Sequence, residues 1–252
     1  MERIEKDVRI GRREAMYFLG SVVAVGFLAD CGSGDDSSPT SSSTTSTTSD
    51  STSAQCIVTP ALTEGPYFVD ERLNRSDLRS DPATGQVKEG VILTLAVALS
   101  QISSSGACSP LAGALVDLWH CDALGVYSDV HDAGFDTLGQ KFLRGYQVSD
   151  ASGLVRFTTI YPGWYSGRAV HVHFKARTSP GASSGLEFTS QMFFDEALTD
   201  LVHAQAPYNT KGRRDTTLTT DGIYRSGGSS LLVPLSASGA GYAGTLNVGV
   251  RV

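Results

Sequence analysis

The sequence predicts an all-β fold, a β-sandwich of about eight short antiparallel strands joined by long loops. Glycine is abundant, at 27 of 252 residues, and the apolar runs are short and rich in Val, Ile, Leu and Thr. These features favour strands joined by turns over long helices. No helix-period pattern of ten or more residues separates the runs, which argues against parallel βαβ units. A set of short strands in one domain therefore indicates a sandwich.

The predicted strands follow the apolar runs in chain order. They are Val91–Leu99, Ala114–His120, Phe142–Val148, Leu154–Ile160, Val170–Ala176, Leu186–Phe194, Leu231–Leu235 and Tyr242–Val252. Between the third and fourth runs, the polar segment Ser149–Gly153 predicts a hairpin, because its glycine can take the positive φ of a tight turn. One short helix is predicted at Glu196–His203.

Composition limits the function classes. The hydrophobic fraction of 40% suffices for a packed core, and the folded unit is predicted to span residues 56–252, about one domain. The formal net charge is −6 and no stripe of Lys and Arg is present. Nucleic acid is therefore not expected as a partner, because phosphate binding requires clustered positive charge.

Residues 1–31 are predicted to form an export signal. Basic residues precede the apolar run Ala15–Ala29, which is too short to cross a bilayer, since a membrane-spanning helix needs about 20 apolar residues. The pair Arg12-Arg13 resembles a twin-arginine signal. The segment ending at Cys31 resembles a bacterial lipoprotein cleavage site, whose cysteine would tether the protein to a membrane. An ordinary secretory signal explains the segment equally well, and both interpretations place the protein outside the cytoplasm.

Residues 32–55 are predicted to be a disordered linker. Between Ser37 and Ser53, every residue except Pro39 and Asp50 is Ser or Thr. Such a segment cannot bury enough apolar surface to offset the entropy of ordering it.

The chain has four cysteines, at positions 31, 56, 108 and 121, and no CxxC pair that would indicate a thiolate zinc site. Disulfides persist in an exported protein. Cys108 and Cys121 flank one predicted strand, so an extended strand would separate their Cα atoms beyond the bridging limit of about 7 Å. Cys56 is therefore predicted to pair with one of them, which leaves one free thiol.

Two histidines, His171 and His173, lie on one predicted strand. Residues i and i+2 of a strand point to the same face, so the two imidazoles would project together, as a first-row transition metal requires. A His-x-His pattern alone is also explained by two surface histidines. Two histidines leave a zinc site incomplete, and no nucleophile or general-base motif accompanies them, so a zinc hydrolase is a weaker hypothesis.

Two tyrosines can complete the ligand set. Tyr165 follows the turn Pro162-Gly163 just before the histidine strand, and Tyr127 follows a glycine turn after another strand. A trivalent cation favours the phenolate form of tyrosine, and hard anionic oxygen ligands stabilise Fe(III) over Fe(II). Each tyrosine taken singly is also explained by a half-buried ring that bonds to the backbone.

Taken together, these segments resemble the intradiol ring-cleavage dioxygenases, the family of catechol and protocatechuate dioxygenases. The resemblance covers nearly all of residues 56–200, in the same order. It is carried by Thr63-Glu64-Gly65-Pro66-Tyr67, Gly125-Val126-Tyr127, Tyr161-Pro162-Gly163-Trp164-Tyr165, Arg168-Ala169-Val170-His171-Val172-His173-Phe174 and Ser190-Gln191-Met192-Phe193-Phe194. The resemblance implies a non-haem ferric ion held by Tyr127, Tyr165, His171 and His173. The substrates it implies are a small aromatic diol of the catechol type and O₂, and the product is a muconate-type dicarboxylic acid.

The resemblance also implies catalytic roles for three residues. Arg168 and Gln191 would lie near the bound substrate, where Arg168 would stabilise developing negative charge and Gln191 would orient the substrate. Tyr165 would leave the metal and accept a substrate proton. Alternatively, Arg168 is a structural ion-pair partner and Gln191 a hydrogen-bonding core residue.

A second class of hypothesis is a surface β-sandwich module that binds iron, phenolics or carbohydrate without turnover. The complete set of two tyrosines and two histidines favours the enzyme, because a binding module does not need it. The helical N-terminal segment through which the catechol enzymes dimerise is absent, and a linker takes its place. The oligomeric state and the identity of the catechol are therefore left open.

Overall fold

A computed structural model of the chain describes residues 57–178 and 185–251. The predicted export signal, with Cys31, and the predicted Ser/Thr linker lie outside the described residues. Within the two described ranges, no helix is long and apolar enough to cross a membrane.

The fold is an all-β sandwich, as predicted. In chain order the strands are β1 Ile92–Ile102, β2 Cys108–Pro110, β3 Leu115–Trp119, β4 His131–Asp132, β5 Phe135–Asp136, β6 Arg144–Val148, β7 Leu154–Ile160, β8 His171–Arg177, β9 Glu187–Phe193, β10 Leu235–Ser238 and β11 Gly241–Arg251. The first sheet has the order β10-β11-β1-β2. Strand β7 also pairs with β1, on the same edge of β1 as β2 but further towards its start. The second sheet has the order β6-β3-β8-β9, and β4 and β5 form a separate hairpin.

The core lies between the inner faces of the two sheets. Along β1, Leu93, Leu95, Val97 and Leu99 are buried while the residues between them are not, the period of two expected of a strand with one covered face. Strand β8 is different, because six of its seven residues are buried. It pairs with a neighbour on each edge, and its polar residues therefore enter the protein interior.

The helical segments are short. They are α1 Glu196–His203, α2 Gly222–Arg225, and the 3-10 turns Tyr208–Lys211 and Gly228–Leu231. Helix α1 has the predicted bounds. It begins where the Asp195 carboxylate accepts a hydrogen bond from Leu198 N, and its buried side includes Thr199 and Val202.

Three sequence predictions differ from the structure. The turn at Ser149–Gly153 forms, with Gly153 at φ +77°, but β6 and β7 belong to different sheets, so it is a sheet-to-sheet connection and not a hairpin. Strands β1 and β11 pair in parallel, although all pairs were expected to be antiparallel. The run Leu231–Leu235 is not a strand, because Leu231 ends a 3-10 turn and β10 begins at Leu235.

Candidate metal centre

Strand β8 brings His171 and His173 side by side in the protein interior. Each is 2% exposed, so neither is a surface histidine. His171 Nδ1 lies 2.6 Å from the carbonyl oxygen of Ala169, which can only accept, so this nitrogen carries the proton and Nε2 carries a free lone pair. The Nε2 atoms of the two histidines are 3.0 Å apart. Both rings therefore direct Nε2 to one point.

The pKa values of both imidazoles are depressed. Burial, and then the positive charge of Arg168, lower the pKa of His171 to about 3. Burial and the neighbouring His171 lower the pKa of His173 well below 6.5. Both rings are therefore neutral at physiological pH, the form that donates a nitrogen lone pair to a metal.

The two predicted tyrosines lie at the same point. Tyr165 Oη is 3.2 Å from His171 Nε2. The ring of Tyr127 lies 5.8 Å from that of Tyr165 and 6.3 Å from that of His173, and its buried Oη has no hydrogen-bond partner among the residues that the structure describes. Burial raises the pKa of Tyr165 to about 12 and raises that of Tyr127 well above 10. An unpartnered buried phenol is costly, so its retention indicates a missing partner.

Close packing of two loops places the tyrosines together. Gly125, at φ +80°, precedes Tyr127 by two residues, and a Cβ there would lie 2.1 Å from the carbonyl oxygen of Trp164. Only a glycine allows the loop carrying Tyr127 to approach the loop carrying Tyr165 this closely.

The donor set fits a non-haem ferric ion. The Tyr165 phenol oxygen and the two imidazole nitrogens lie together, and the ring of Tyr127 packs against Tyr165 and His173 with its Oη free of hydrogen bonds among the described residues. Imidazole and phenol donors of this kind suit such an ion. Among the residues that the structure describes, no group of three or more His, Cys, Asp or Glu side chains is placed to hold a metal. Among the described residues, the two tyrosines are therefore candidates to complete a ligand set with the two histidines.

Arg168 and Gln191 lie beside this cluster and bond to each other. Arg168 Nη1 is 3.5 Å from His171 Nε2, and Nη2 donates to Gln191 Oε1 at 2.5 Å. Gln191 Nε2 donates to the carbonyl oxygen of Thr63 at 2.8 Å. Arg168 is also an ion-pair partner, since its Nε donates to Asp221 Oδ2 at 2.9 Å. Both interpretations of Arg168 are therefore compatible with its position.

Asp221 is a site residue that sequence reasoning missed. Its side chain is fully buried and holds Arg168 from 53 positions away in the chain. The only local signal is that Asp221 precedes a short helical turn, where an N-cap is expected. That signal predicts a cap for α2, which Asp221 also provides, and says nothing about Arg168.

An aromatic wall encloses the cluster. Tyr67 stacks on Tyr127 with ring centroids 4.6 Å apart, and its hydroxyl donates to Asp132 Oδ2 at 2.7 Å. Tyr67 also lies edge-on to Tyr165. These are the edge-to-face and offset-stacked arrangements that aromatic side chains prefer.

The structure also describes two cysteines and His120. Cys121 is a buried free thiol that packs with Tyr127, and Cys108 is disulfide-bonded. This agrees with the prediction that the two do not pair with each other. His120 is fully buried, with Nδ1 donating to Cys121 O and Nε2 accepting from Thr159 Oγ1.

The fold and the site define an all-β protein with a buried two-histidine, two-tyrosine cluster suited to a metal ion. A family model described as "Dioxygenase" matches residues 63–211. A chlorocatechol 1,2-dioxygenase of Pseudomonas putida is 32% identical over 104 residues, which cover 34% of this chain and 36% of that protein. The chain thus spans little more than a third of the length of the curated relatives it matches.

Solved dioxygenase structures are similar to this chain over a larger part of its length. An intradiol ring-cleavage dioxygenase from Tetranychus urticae is similar with a TM-score of 0.66 and 28% identity, covering 78% of this chain and 95% of that one. The dioxygenase domain of a dioxygenase–carbohydrate-binding fusion from Streptomyces sp. SirexAA-E is similar with a TM-score of 0.53 and 27% identity, covering 78% and 99%. The chain belongs to the intradiol ring-cleavage dioxygenase family.

Proposed function

We propose that this protein is a ferric-iron enzyme that opens a catechol-type ring with O₂ between the two hydroxyl-bearing carbons. Both oxygen atoms enter the product, a muconate-type dicarboxylic acid, so the diol and O₂ account for all of its atoms. The observation that carries the proposal is the convergence of Tyr165 Oη, His171 Nε2 and His173 Nε2 on one buried point, beside the unbonded Tyr127 Oη.

Tyr127, Tyr165, His171 and His173 would hold the iron. When bound, a ferric ion supplies Lewis acidity that draws electron density from the diol and allows a ring carbon to react with O₂. The two phenol oxygens suit this ion because they are hard donors, which favour the ferric over the ferrous state.

The protein must accept protons from the substrate and stabilise one developing negative charge. A catechol that binds as a dianion loses two protons; Tyr165 Oη, which would be ionised when it holds the iron, is the proposed acceptor of one, and the other would pass to solvent. The guanidinium of Arg168, 3.5 Å from His171 Nε2, is placed to stabilise negative charge on the substrate. Asp221 and Gln191 hold that guanidinium from two directions, so it is oriented before the substrate arrives.

The experiment is metal analysis with visible spectroscopy, followed by turnover assays. We expect about one iron per chain and a red-brown colour from tyrosinate-to-iron charge transfer. Turnover of a panel of diols, measured by ultraviolet absorbance, identifies the substrate; the panel is catechol, protocatechuate and hydroxyquinol. Stoichiometric zinc, with no visible band after ferric reconstitution, contradicts the proposal. A coloured protein that binds catechols and consumes no O₂ supports the binding-module alternative.

For the segment before the catalytic domain, we propose export, with residues 1–31 as the signal and residues 32–55 as a spacer. The basic start, the short apolar run and the Ser/Thr-rich stretch support this proposal. If Cys31 carries lipid, Cys31→Ser releases the protein into the medium with unchanged specific activity. If the wild-type protein already partitions into the aqueous phase, with an N-terminus downstream of Cys31, the anchor does not exist.

A further inference from the structure

Arg144, on β6, is a buried cation beside the candidate metal centre. It is 2% exposed. Within the described chain, every hydrogen bond of its guanidinium ends on an uncharged oxygen. Nε donates to Ser128 Oγ at 2.9 Å and to Ser128 O at 3.1 Å, Nη2 donates to Ser128 O at 2.5 Å, and Nη1 donates to Tyr67 O at 2.6 Å. The carboxylates of Glu71 and Asp129 act on this guanidinium only through space. Burying a charge with no carboxylate bonded to it is costly, so the arrangement requires an explanation.

The acceptors belong to two separate loops that carry stacked tyrosines. Ser128 directly follows Tyr127, and Tyr67 is the ring that stacks on Tyr127 at 4.6 Å. A further hydrogen bond holds the loop of Tyr127, because Thr137 Oγ1 donates to the carbonyl oxygen of Tyr127 at 2.7 Å. The planar guanidinium therefore joins the backbones on both sides of one ring pair, a task that needs donors in a fixed fork.

We propose that Arg144 is a positioning residue that sets where the Tyr127 phenol stands in the metal centre. It acts through Ser128 and Tyr67 and touches neither Fe(III) nor substrate. The role in metal binding rests on the function proposed above, whereas the role in holding the two loops does not. The two parts can therefore be tested separately.

The test uses Arg144→Lys, which keeps the positive charge but loses the fork. Arg214→Lys is the matched control, because Arg214 is also a largely buried arginine, but its partners are Glu196 and Asp200, which belong to neither tyrosine loop. Ser128→Ala is a milder variant that removes only the hydroxyl, and it decides the matter if Arg144→Lys does not fold.

The first readout is amide hydrogen exchange of the metal-free protein. We expect exchange at residues 67–69 and 127–131 to accelerate about tenfold or more in Arg144→Lys, less in Ser128→Ala, and not in Arg214→Lys. Unchanged exchange in these segments, or an equal acceleration in Arg214→Lys, overturns the proposal.

The second readout is the visible band and iron affinity of the ferric protein. We expect a shifted charge-transfer maximum and at least about tenfold weaker iron binding in Arg144→Lys, with wild-type values in Arg214→Lys. A band and affinity identical to wild type overturn the role at the metal. If the wild-type protein gains no visible band with ferric ion, the proposed function is wrong. Hydrogen exchange then still tests whether Arg144 holds the two loops together.

Discussion

The carboxylate of Asp221 joins Arg168 to the start of a helical turn. Its Oδ2 accepts from Arg168 Nε at 2.9 Å and from the backbone nitrogen of Ala169 at 2.7 Å. Its Oδ1 accepts from Ile223 N and Tyr224 N, which caps α2. One buried side chain therefore fixes both the proposed charge-stabilising residue and the backbone that leads into β8.

We expect Asp221→Asn to fold and bind iron but to lose about tenfold or more in kcat, because asparagine can cap α2 yet cannot pair with the guanidinium. Steady-state assays and metal analysis check this. In the double variant with Arg168→Ala, no further loss is expected, since Asp221 acts through Arg168. Asp195→Asn, at the N-cap of α1, is the control and should retain turnover. A strictly additive double variant would contradict the coupling.

Arg168→Ala should keep its iron and colour and lose most of its turnover. Removing one preorganised charge-stabilising donor typically costs about 10²–10³ in rate. The measurements are metal content, the visible spectrum and kcat. Arg214→Ala, which removes an arginine paired with Glu196 and Asp200 near α1, is the control. Unchanged activity in Arg168→Ala, or loss of the metal, would assign Arg168 a different role.

Tyr165→Phe should bind iron more weakly, with a shifted visible band, and should lose turnover, because the variant lacks both a ligand and the proposed proton acceptor. Tyr161→Phe is the matched control. Tyr161 is a buried tyrosine in the same loop, but its hydroxyl bonds to Thr199 Oγ1 at 2.7 Å. Losing that hydrogen bond should cost about 1 kcal/mol in the free energy of unfolding and leave the spectrum unchanged. Identical spectra for wild type and Tyr165→Phe would exclude Tyr165 as a ligand.

The buried His120 should make stability fall in acid. Burial lowers its pKa from 6.5 to about 4, so the unfolded state takes up a proton at a higher pH than the folded state. The contribution of neutral His120 to the free energy of unfolding is therefore complete above about pH 6.5 and is lost as the pH falls from there towards 4. The free energy of unfolding of wild type relative to His120→Asn should drop by about 2 kcal/mol between pH 7 and pH 5. Urea denaturation of the metal-free proteins at both pH values measures this difference. A difference independent of pH would contradict the prediction.

Much of the local structure was predictable from the sequence. Strand β7 and helix α1 have the predicted bounds, and the other predicted strands except Leu231–Leu235 are shifted by only a few residues, because hydrophobic period and capping act over short spans. The same period places His171 and His173 on one face of β8. The short strands β2, β4 and β5 were missed, because two or three residues carry no period.

Sheet assignment was less predictable. Turn residues at Ser149–Gly153 identify a reversal of the chain, but the same turn can lead back along one sheet or across to another. Here β7 pairs with β1 and β6 pairs with β3. The outcome depends on which apolar faces are covered, and that is settled by the whole chain.

The sequence alone determined the strand class of the fold and the short helix, because these depend on neighbours within a few residues. Its resemblance to a known family implied the residues of the candidate metal centre. Only the tertiary structure decided that β11 pairs in parallel with β1, that Asp221 holds Arg168 and that Arg144 joins the loops of Tyr67 and Tyr127. Each of these contacts joins segments that are distant in the chain. They form because buried backbone groups and charges must find partners wherever packing brings them.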